Sequence, residues 1–323
     1  MVRRHAITVG ELGEFGVIAR ITGRLPQGAS VLLGPGDDAA MVSAPDGRIV
    51  VSTDLLLESR HFRRDWSSGY DVGRKAAAQN LADAVAMGAV PTSLVVGLAL
   101  PADLPVAWLE ELTDGLRDEC DLVGASVAGG DVTRGPLVVV SVTVLGDLGG
   151  RAPVLRSGAR PGQVVAVAGR LGWAAAGLAL LEREGAGVSG AGGSREVVEA
   201  HRRPCPPYAQ GPEAAVLGAT AMLDVSDGLV QDLGHIAAAS GVGIVLEPAS
   251  LPVAEPVRAA AERLGVDPLD LVLAGGEDHA LAAVFPCDIP LTDAWTVVGR
   301  VVEGAGVQVS GRAAVSGGWD HFR

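Results

Sequence analysis

Apolar runs that end at an aspartate recur along this chain of 323 residues. The runs are short and rich in β-branched residues, which is typical of buried strands, and stretches with a helical period lie between them. This alternation predicts a mixed α/β (or α+β) fold. Five aspartates end such a run or lie on a predicted helix face, close to Gly, Ser or Thr: Asp54, Asp83, Asp131, Asp224 and Asp227.

A turn at residues 34–38 adds two adjacent carboxylates, Asp37 and Asp38, just before another apolar run. Pro fixes φ and Gly allows positive φ, so the Gly-Pro-Gly segment predicts a loop. Neighbouring side chains diverge in extended backbone, which gives the two aspartates different environments. Asp and Gly are common in solvated turns, but the recurring pattern favours a loop that directs one carboxylate to a ligand.

Chain length and a local shift in composition predict two domains. A chain of 323 residues is long enough to bury two separate cores. Gly and Pro cluster between residues 146 and 161, as they do in many domain boundaries. The predicted domains are therefore residues 1–147 and residues 148–323.

Hydrophobic periodicity predicts the elements of each domain. In the first domain the predicted helices cover residues 11–22, 71–87 and 105–120, and the strands cover residues 49–57, 94–100 and 137–145. In the second domain the helices cover residues 173–183, 229–240 and 257–264, and the strands cover residues 164–168, 221–224, 242–246, 281–285, 295–302 and 307–309. Two stretches are predicted to be loops because Gly is frequent in them, residues 129–135 and residues 185–194.

The charge and the cysteines restrict the partners and the compartment. A net charge of -13 argues against a nucleic-acid partner, which needs a basic face. An acidic protein can still bind phosphates when divalent cations lie between them and its carboxylates. Three widely spaced cysteines predict neither a disulfide framework nor a metal site, and they suit the cytoplasm. We see no signal peptide and no apolar run long enough to span a membrane.

The residues that could carry chemistry are mostly oxygen ligands. The sequence has no Walker P-loop, no dinucleotide fingerprint and no protein-kinase motif, and its histidines are few and unpaired. Hard oxygen ligands prefer Mg²⁺, which neutralises phosphate oxygens in phosphoryl transfer. The carboxylates therefore indicate either a magnesium-dependent phosphoryl enzyme without a P-loop or separate turn and cap residues on an acidic surface.

Nine motifs in order decide between these readings, because together they resemble the thiamine-monophosphate kinase family of the aminoimidazole ribonucleotide synthetase-like superfamily. The resemblance covers essentially the whole chain. The motifs lie at residues 34–40, 52–54, 61–62, 80–89, 129–135, 156–162, 224–229, 275–278 and 318–322.

The resemblance implies ATP-dependent phosphorylation of thiamine phosphate to thiamine diphosphate, assisted by several Mg²⁺ ions. It also implies a two-domain fold whose N-terminal α/β domain binds ATP and Mg²⁺ and forms the sheet or barrel of a homodimer. The γ-phosphoryl group would pass directly, in line, to the acceptor phosphate. No residue is assigned as a general base, since the acceptor is already an anion.

The same resemblance implies a role for each matching residue. The positions that match magnesium ligands are Asp38, Ser52, Thr53, Asp54, Asp83, Asp131, Asp224 and Asp227. The positions that match ATP contacts are Gly130, Asp131, Arg156 and Ser226. The positions that match thiamine-phosphate contacts are His61, Glu277 and Trp319. The alternatives are purely structural: His61 would be a packed edge residue, and Trp319 would fill a core.

The chain departs from the family at one motif. The family usually has Tyr and an acidic residue after Gly-Gly-Glu-Asp, where this chain has His279 and Ala280. The superfamily offers three rivals, of which aminoimidazole ribonucleotide synthetase stays open. Selenophosphate synthetase is disfavoured because no cysteine precedes Cys120, and the hydrogenase-maturation dehydratase because the chain does not end in cysteine. A non-catalytic nucleotide-binding regulator is the rival from another class, and it has little reason to keep every metal ligand.

Overall fold

The structure, a computed structural model, describes residues 7–35, 39–188 and 193–312 and residue 318. The chain divides into two compact units, one of residues 1–84 and 90–150 and the other of residues 85–89 and 151–323. The short segment 85–89 belongs to the second unit because Val85 and Ala86 are buried in its core, with Met222 and Phe285.

The first unit combines three helices with a mixed four-stranded sheet. Its elements are α1 (Val9–Thr22), β1 (Val31–Leu33), β2 (Met41–Val42), β3 (Val50–Leu57), α2 (Gly69–Ala86), β4 (Val90–Leu100), α3 (Val106–Asp121), β5 (Ser126–Arg134) and β6 (Val139–Asp147). The sheet has the order β3-β6-β4-β5. Its pairs are antiparallel except β4 with β5, and β1 pairs separately with β2.

The two faces of this sheet differ in burial. Along β6, Val140, Val142 and Val144 are fully buried and the residues between them are half-buried. Because successive side chains of a strand point to opposite faces, one face forms the core and the other is more exposed. The exposed face includes large apolar side chains, among them Val51, with 61% of its surface exposed, and Leu55, with 49%.

The prediction of a loop at residues 129–135 is wrong, because β5 continues through Arg134. Gly129 and Gly130 pair with Val95 and Val96 of the neighbouring strand. A Cβ atom on Gly130 would lie 2.1 Å from the carbonyl oxygen of Val96, so only glycine allows this approach of the two backbones. Gly and Asp have a weak strand propensity, which is why this stretch is predicted to be a loop. Pairing with the long central strand β4 overrides that propensity.

The second unit contains a six-stranded sheet with helices. Its elements after the boundary are β7 (Val164–Ala168), α4 (Trp173–Glu184), α5 (Ser194–Arg202), α6 (Gln210–Leu217), β8 (Ala221–Val225), α7 (Leu229–Ser240), β9 (Gly243–Leu246), α8 (Glu255–Leu264), α9 (Pro268–Ala274), β10 (Ala280–Phe285), β11 (Thr296–Val302) and β12 (Gly306–Val309). The strand order is β12-β9-β11-β7-β10-β8, and the pairs are antiparallel except β12 with β9.

The predicted strands and the three predicted helices of this unit are confirmed, but the prediction of a loop at residues 185–194 is wrong at both ends. Gly185–Gly187 forms a turn of 3₁₀-helix, and Ser194 is the first residue of α5, while residues 189–192 lie outside the described residues. The helices predicted from hydrophobic periodicity do not include α5, α6 and α9, which are short. In the described part of the chain, no helix is long and apolar enough to cross a membrane.

Helices α2 and α3 of the first unit approach each other closely. A Cβ atom on Gly73 of α2 would lie 2.0 Å from the carbonyl oxygen of Leu112 on α3. No side chain fits at that distance, so the helix packing requires glycine here in spite of its low helix propensity.

We predict that Gly73→Ala lowers the stability of the protein, by about 1–3 kcal/mol, because the added methyl group forces α2 and α3 apart. The matched control is Gly234→Ala in α7, where a Cβ atom would meet nothing within 4 Å. That change should raise stability by up to about 1 kcal/mol through helix propensity. Urea unfolding followed by circular dichroism measures both, and equal shifts in the same direction would contradict the close approach.

Candidate functional site

In the first unit, an oxygen-rich group forms where α2 packs on β3. Ser52 Oγ donates a hydrogen bond of 2.6 Å to Asp83 Oδ2. The backbone N–H of Asp54 donates to Asn80 Oδ1 at 3.0 Å, and Asn80 itself is fully buried. Ser52 and Asp54 share one face of the strand, while Asn80 and Asp83 share one face of the helix. The structure therefore brings together the predicted ligands Ser52, Asp54 and Asp83.

Thr53 is not part of this group, because strand alternation puts its side chain on the opposite face of the sheet. Its Oγ1 donates to the carbonyl oxygen of Val142 at 2.9 Å and accepts from Thr143 Oγ1 at 3.1 Å. The hydroxyl is thus bonded to the neighbouring strand.

Gly130 and Asp131 lie on β5, at the other edge of the same sheet from β3. Two strands separate these edges, which places them about 14 Å apart at the usual spacing of strands. A single copy of the sheet therefore does not bring Asp131 to Asp54. Ala40 lies beside β5, since its Cβ is 3.7 Å from the Cβ that Gly129 would carry. Asp38, two residues earlier, lies outside the described residues.

His61 is held in one orientation in the loop after β3. The N–H of Leu57 donates to His61 Nδ1 at 3.0 Å, so Nδ1 is unprotonated and Nε2 carries the proton. The buried Lys75 donates to the carbonyl oxygen of His61 at 3.2 Å. Next to it, the buried ring of Phe62 stacks on Trp108 with 6.5 Å between centroids. The structure thus makes Phe62 the packing residue and leaves His61 half-buried.

In the second unit, three carboxylates gather where β8 ends and α7 begins. Asp224 is in β8, and Asp227 follows the strand. Asp232 Oδ2 accepts hydrogen bonds of 3.0 Å from the N–H groups of Asp227 and Gly228. Burial raises the pKa of Asp232 to about 7, and the nearby charges of Asp224 and Asp227 act in the same direction. Asp232 was missed by the sequence argument, although an aspartate in the first turn of a helix was a usable signal.

The loop before β10 lies against this group. The N–H of Glu277 donates to the carbonyl oxygen of Ser226 at 2.8 Å, and the Oε2 atom of Glu277 is 3.3 Å from Nδ1 of the buried His201. Glu277 and His279 both have positive φ, of 65° and 52°, which is uncommon for residues other than glycine. The structure therefore brings Ser226 and Glu277 together with the predicted ligands Asp224 and Asp227.

Asp278, between Glu277 and His279, has a structural role. Its carboxylate accepts hydrogen bonds from the N–H groups of Trp173 and Ala174, at 3.0 and 2.9 Å, at the first residues of α4. Burial raises the pKa of Asp278 to about 7, although these two hydrogen bonds and the charge of His279 act against the rise. Asp278 thus joins the Gly-Gly-Glu-Asp segment to a helix.

Arg156 is not brought to this group. Leu155 accepts a hydrogen bond of 3.0 Å from Met222, near the beginning of β8, and the carbonyl oxygen of Arg156 accepts one of 3.2 Å from Ser240 Oγ, the last residue of α7. Asp227 lies at the other end of that helix, about 18 Å away for twelve residues. The side chain of Arg156 is exposed, and Trp319 lies outside the described residues.

The donor set fits Mg²⁺ bound together with phosphates. Among the described residues, no group of three or more His, Cys, Asp or Glu side chains could hold a metal ion alone. Mg²⁺ is usually bound through one or two carboxylates and the phosphates of a substrate, so a complete cage of side chains is not required. The convergence of Ser52 with Asp83 in the first unit, and of Asp224 with Asp227 in the second, supplies oxygen ligands of this kind.

Comparison with known families first gives the class of the protein. Residues 36–148 match the family model described as AIR synthase related protein, N-terminal domain. The whole chain resembles the crystal structure of thiamine-monophosphate kinase from Stenotrophomonas maltophilia K279a, with a TM-score of 0.81 and 35% identity over 96% of this chain and 99% of that one. The chain is therefore an α/β protein with the AIR synthase-like fold.

Two further relatives identify the family. The thiamine-monophosphate kinase of Mycobacterium tuberculosis is 52% identical over 318 residues, which are 98% of this chain and 93% of that protein. A structure of AaThiL complexed with AMPPCP and TMP has a TM-score of 0.77 and 31% identity, over 98% of this chain and 99% of that one. This chain belongs to the thiamine-monophosphate kinase family.

We predict that Asp278 makes stability depend on pH. Its pKa is raised from 3.8 to about 7 on folding, so its contribution is complete below pH 3.8 and is lost as the pH rises through 7. Across this range the parent should lose up to about 1.4 kcal/mol per pH unit relative to Asp278→Asn, which cannot ionise.

Urea unfolding of both proteins between pH 5 and 8 measures this difference. Asp232 contributes equally to the pH dependence of the parent and of Asp278→Asn, so its contribution cancels in the difference between the two proteins. A stability difference that grows in favour of the parent as the pH rises would show instead that the two N–H donors keep Asp278 ionised.

Proposed function

We propose that this chain transfers the γ-phosphoryl group of ATP to thiamine monophosphate, giving thiamine diphosphate and ADP. The observation that carries the proposal is the similarity, over nearly the full length of both chains, to the AaThiL structure complexed with AMPPCP, an ATP analogue, and TMP. The high identity to the M. tuberculosis thiamine-monophosphate kinase supports the same activity.

The proposal assigns magnesium binding to two groups of oxygen ligands. Ser52, Asp54 and Asp83 would hold Mg²⁺ in the first unit, and Asp224 and Asp227 would hold it in the second. By family resemblance Asp38 and Asp131 complete the set, whereas the Thr53 hydroxyl lies on the opposite face of the sheet and is left out. When bound, Mg²⁺ would screen the repulsion between ATP and the anionic acceptor. Two unit charges 4 Å apart repel by about 4 kcal/mol at an effective dielectric constant of about 20.

In this proposal the polypeptide positions ATP and thiamine monophosphate and does not transfer a proton. The acceptor phosphate is already an anion at neutral pH, so the reaction needs no strong general base. For ATP we propose contacts from Gly130, Asp131, Arg156 and Ser226. For thiamine monophosphate we propose three contacts: an N–H donor at His61 Nε2, the Glu277 carboxylate for the cationic heterocycle, and Trp319 as a stacking surface.

We also propose that the chain acts as a homodimer through the first unit. The sheet face that carries Val51, Leu55 and Val95 exposes 61, 49 and 38% of these side chains. Apolar patches of this kind usually mark an interface. Asp54 and Asp131 lie at opposite edges of the sheet within one copy. In a dimer, the Asp54 edge of one copy could lie close to the Asp131 edge of the other, so dimerisation would also bring these carboxylates together.

We place the protein in the cytoplasm as part of this proposal. All three cysteines are free thiols in the structure, and Cys205 and Cys287 are exposed. Exposed free thiols suit a reducing compartment. The net charge of -13 supports small anionic substrates bound through cations rather than a nucleic-acid partner.

The activity is tested by incubating the purified protein with ATP, MgCl₂ and thiamine monophosphate and measuring both ADP and thiamine diphosphate. We expect one thiamine diphosphate for each ADP. ATP consumed without thiamine diphosphate would indicate another acceptor. Magnesium-dependent ATP binding without turnover would favour the nucleotide-binding regulator.

We predict that Asp54→Asn lowers kcat by about 10²-fold or more, because the variant loses charge that holds the cation at the transferring phosphoryl group. The matched control is Asp103→Asn, at an exposed position outside the site, and it should keep parental activity. Near-parental turnover of Asp54→Asn at saturating Mg²⁺ would refute this ligand assignment.

We predict that Leu55→Glu shifts the protein from dimer to monomer, since a buried unpaired carboxylate at the interface is costly. Sedimentation velocity at several protein concentrations measures the change. Val216→Glu is the control, because Val216 is 72% exposed on α6 of the second unit. A parent that sediments as a monomer at micromolar concentration, or a dimer that tolerates Leu55→Glu, would contradict the proposed interface.

A further inference from the structure

The pair formed by His279 and Asp224 stands out in the second unit, because His279 departs from the family pattern. His279 Nδ1 lies 3.0 Å from Asp224 Oδ2, and the side chains are only 6 and 8% exposed. An ionised carboxylate can only accept hydrogen bonds, so Nδ1 carries the proton and donates it. This is a charge-assisted hydrogen bond in a buried setting, where such bonds are strong.

The backbone explains why the two side chains meet. β8 and β10 are antiparallel, with Asp224 opposite Leu281, so that His279 is the diagonal neighbour of Asp224 on the same face. The N–H of His279 donates to the carbonyl oxygen of Val225 at 3.1 Å, which continues the ladder to the end of the strand. The backbone hydrogen bond to Val225 and the side-chain hydrogen bond to Asp224 together fix the orientation of the imidazole.

On the sheet face that it shares with β10, Asp224 has apolar neighbours. The residues on the same face of these strands are Met222, Leu281 and Ala283, which are all buried in one core cluster. Without a donor, a carboxylate at the end of an apolar row has no contact on that face that fixes its rotation. The hydrogen bond holds Oδ2 and sets the plane of the carboxylate, so that its other oxygen has a fixed direction.

We propose that His279 is a positioning residue, which orients the Asp224 carboxylate for the divalent cation that this carboxylate binds. This inference rests on the proposed function, because it takes Asp224 as a magnesium ligand. Residues that hydrogen-bond to metal ligands commonly affect metal affinity by about 10- to 100-fold. In this chain an imidazole does this work at a position where the family usually has tyrosine.

The test compares substitutions that keep or remove the donor. His279→Asn keeps an N–H donor near the position of Nδ1, and Asn tolerates the positive φ of this residue. His279→Phe keeps a ring but has no donor. His279→Gly relieves the backbone and also lacks a donor, so it covers the case in which the Phe variant fails to fold. His235→Phe, at an exposed position on α7, is the matched control.

The readout is the dissociation constant of Mn²⁺, measured by electron paramagnetic resonance in the presence of a non-hydrolysable ATP analogue. We expect a value within about threefold of the parent for His279→Asn and His235→Phe. For His279→Phe and His279→Gly we expect affinity weaker by about 10- to 100-fold. In turnover assays the same two variants should need more Mg²⁺ for half-maximal activity, with the KM for thiamine monophosphate unchanged.

Three results would overturn the proposal: parental Mn²⁺ affinity in the folded Phe or Gly variant, equal loss in Asn and Phe, or parental affinity in Asp224→Asn. The last result in an active parent would remove Asp224 from the ligands while leaving the kinase activity established. A parent that makes no thiamine diphosphate refutes the proposed function instead, and the Mn²⁺ titration still decides whether His279 orients a cation ligand.

Discussion

Buried carboxylates held by hydrogen-bond donors are the interaction on which the second unit depends. Asp278 accepts from two N–H groups at the first residues of α4, and Asp232 accepts from two before α7. Asp224 accepts from the imidazole of His279. Each carboxylate loses hydration on burial, and each donor compensates part of that loss. These contacts join β8, the loop before β10 and two helices at one end of the sheet.

The same contacts explain an unfavourable backbone conformation. Glu277 and His279 have positive φ on either side of Asp278. Such conformations persist where surrounding contacts fix them, and here the loop is fixed by the side chain of Asp278 and by backbone bonds to Ser226 and Val225. The hydrogen bonds from α4 to the Asp278 carboxylate therefore offset the conformational strain of Glu277 and His279. The result is that Glu277 and His279 point their side chains to defined neighbours, His201 and Asp224.

Much of the fold could be predicted from the sequence, because hydrophobic periodicity and motif order are local signals. The strand at residues 164–168 and the helix at residues 229–240 agree with the structure residue for residue. The wrong loop at residues 129–135 shows the limit, since pairing with β4 decides it. In the site, helix periodicity predicts that Asn80 and Asp83 share a face, but the contact of Ser52 with Asp83 depends on the packing of α2 on β3. The contact of His279 with Asp224 likewise depends on the register of β8 and β10.

The separation of Asp54 from Asp131 has a consequence for the assembly. Both residues are proposed to bind cations, yet they lie on opposite edges of one sheet, about 14 Å apart. A Mg²⁺ ion with ligands at about 2 Å cannot bridge that distance. Either the two aspartates bind different ions, or the edge of a second copy supplies the missing carboxylate. Val51 and Leu55 lie on the face of β3 opposite to the Asp54 side chain, so a partner that covers the apolar face does not by itself meet Asp54. The second arrangement therefore needs two copies that approach through the edges of their sheets.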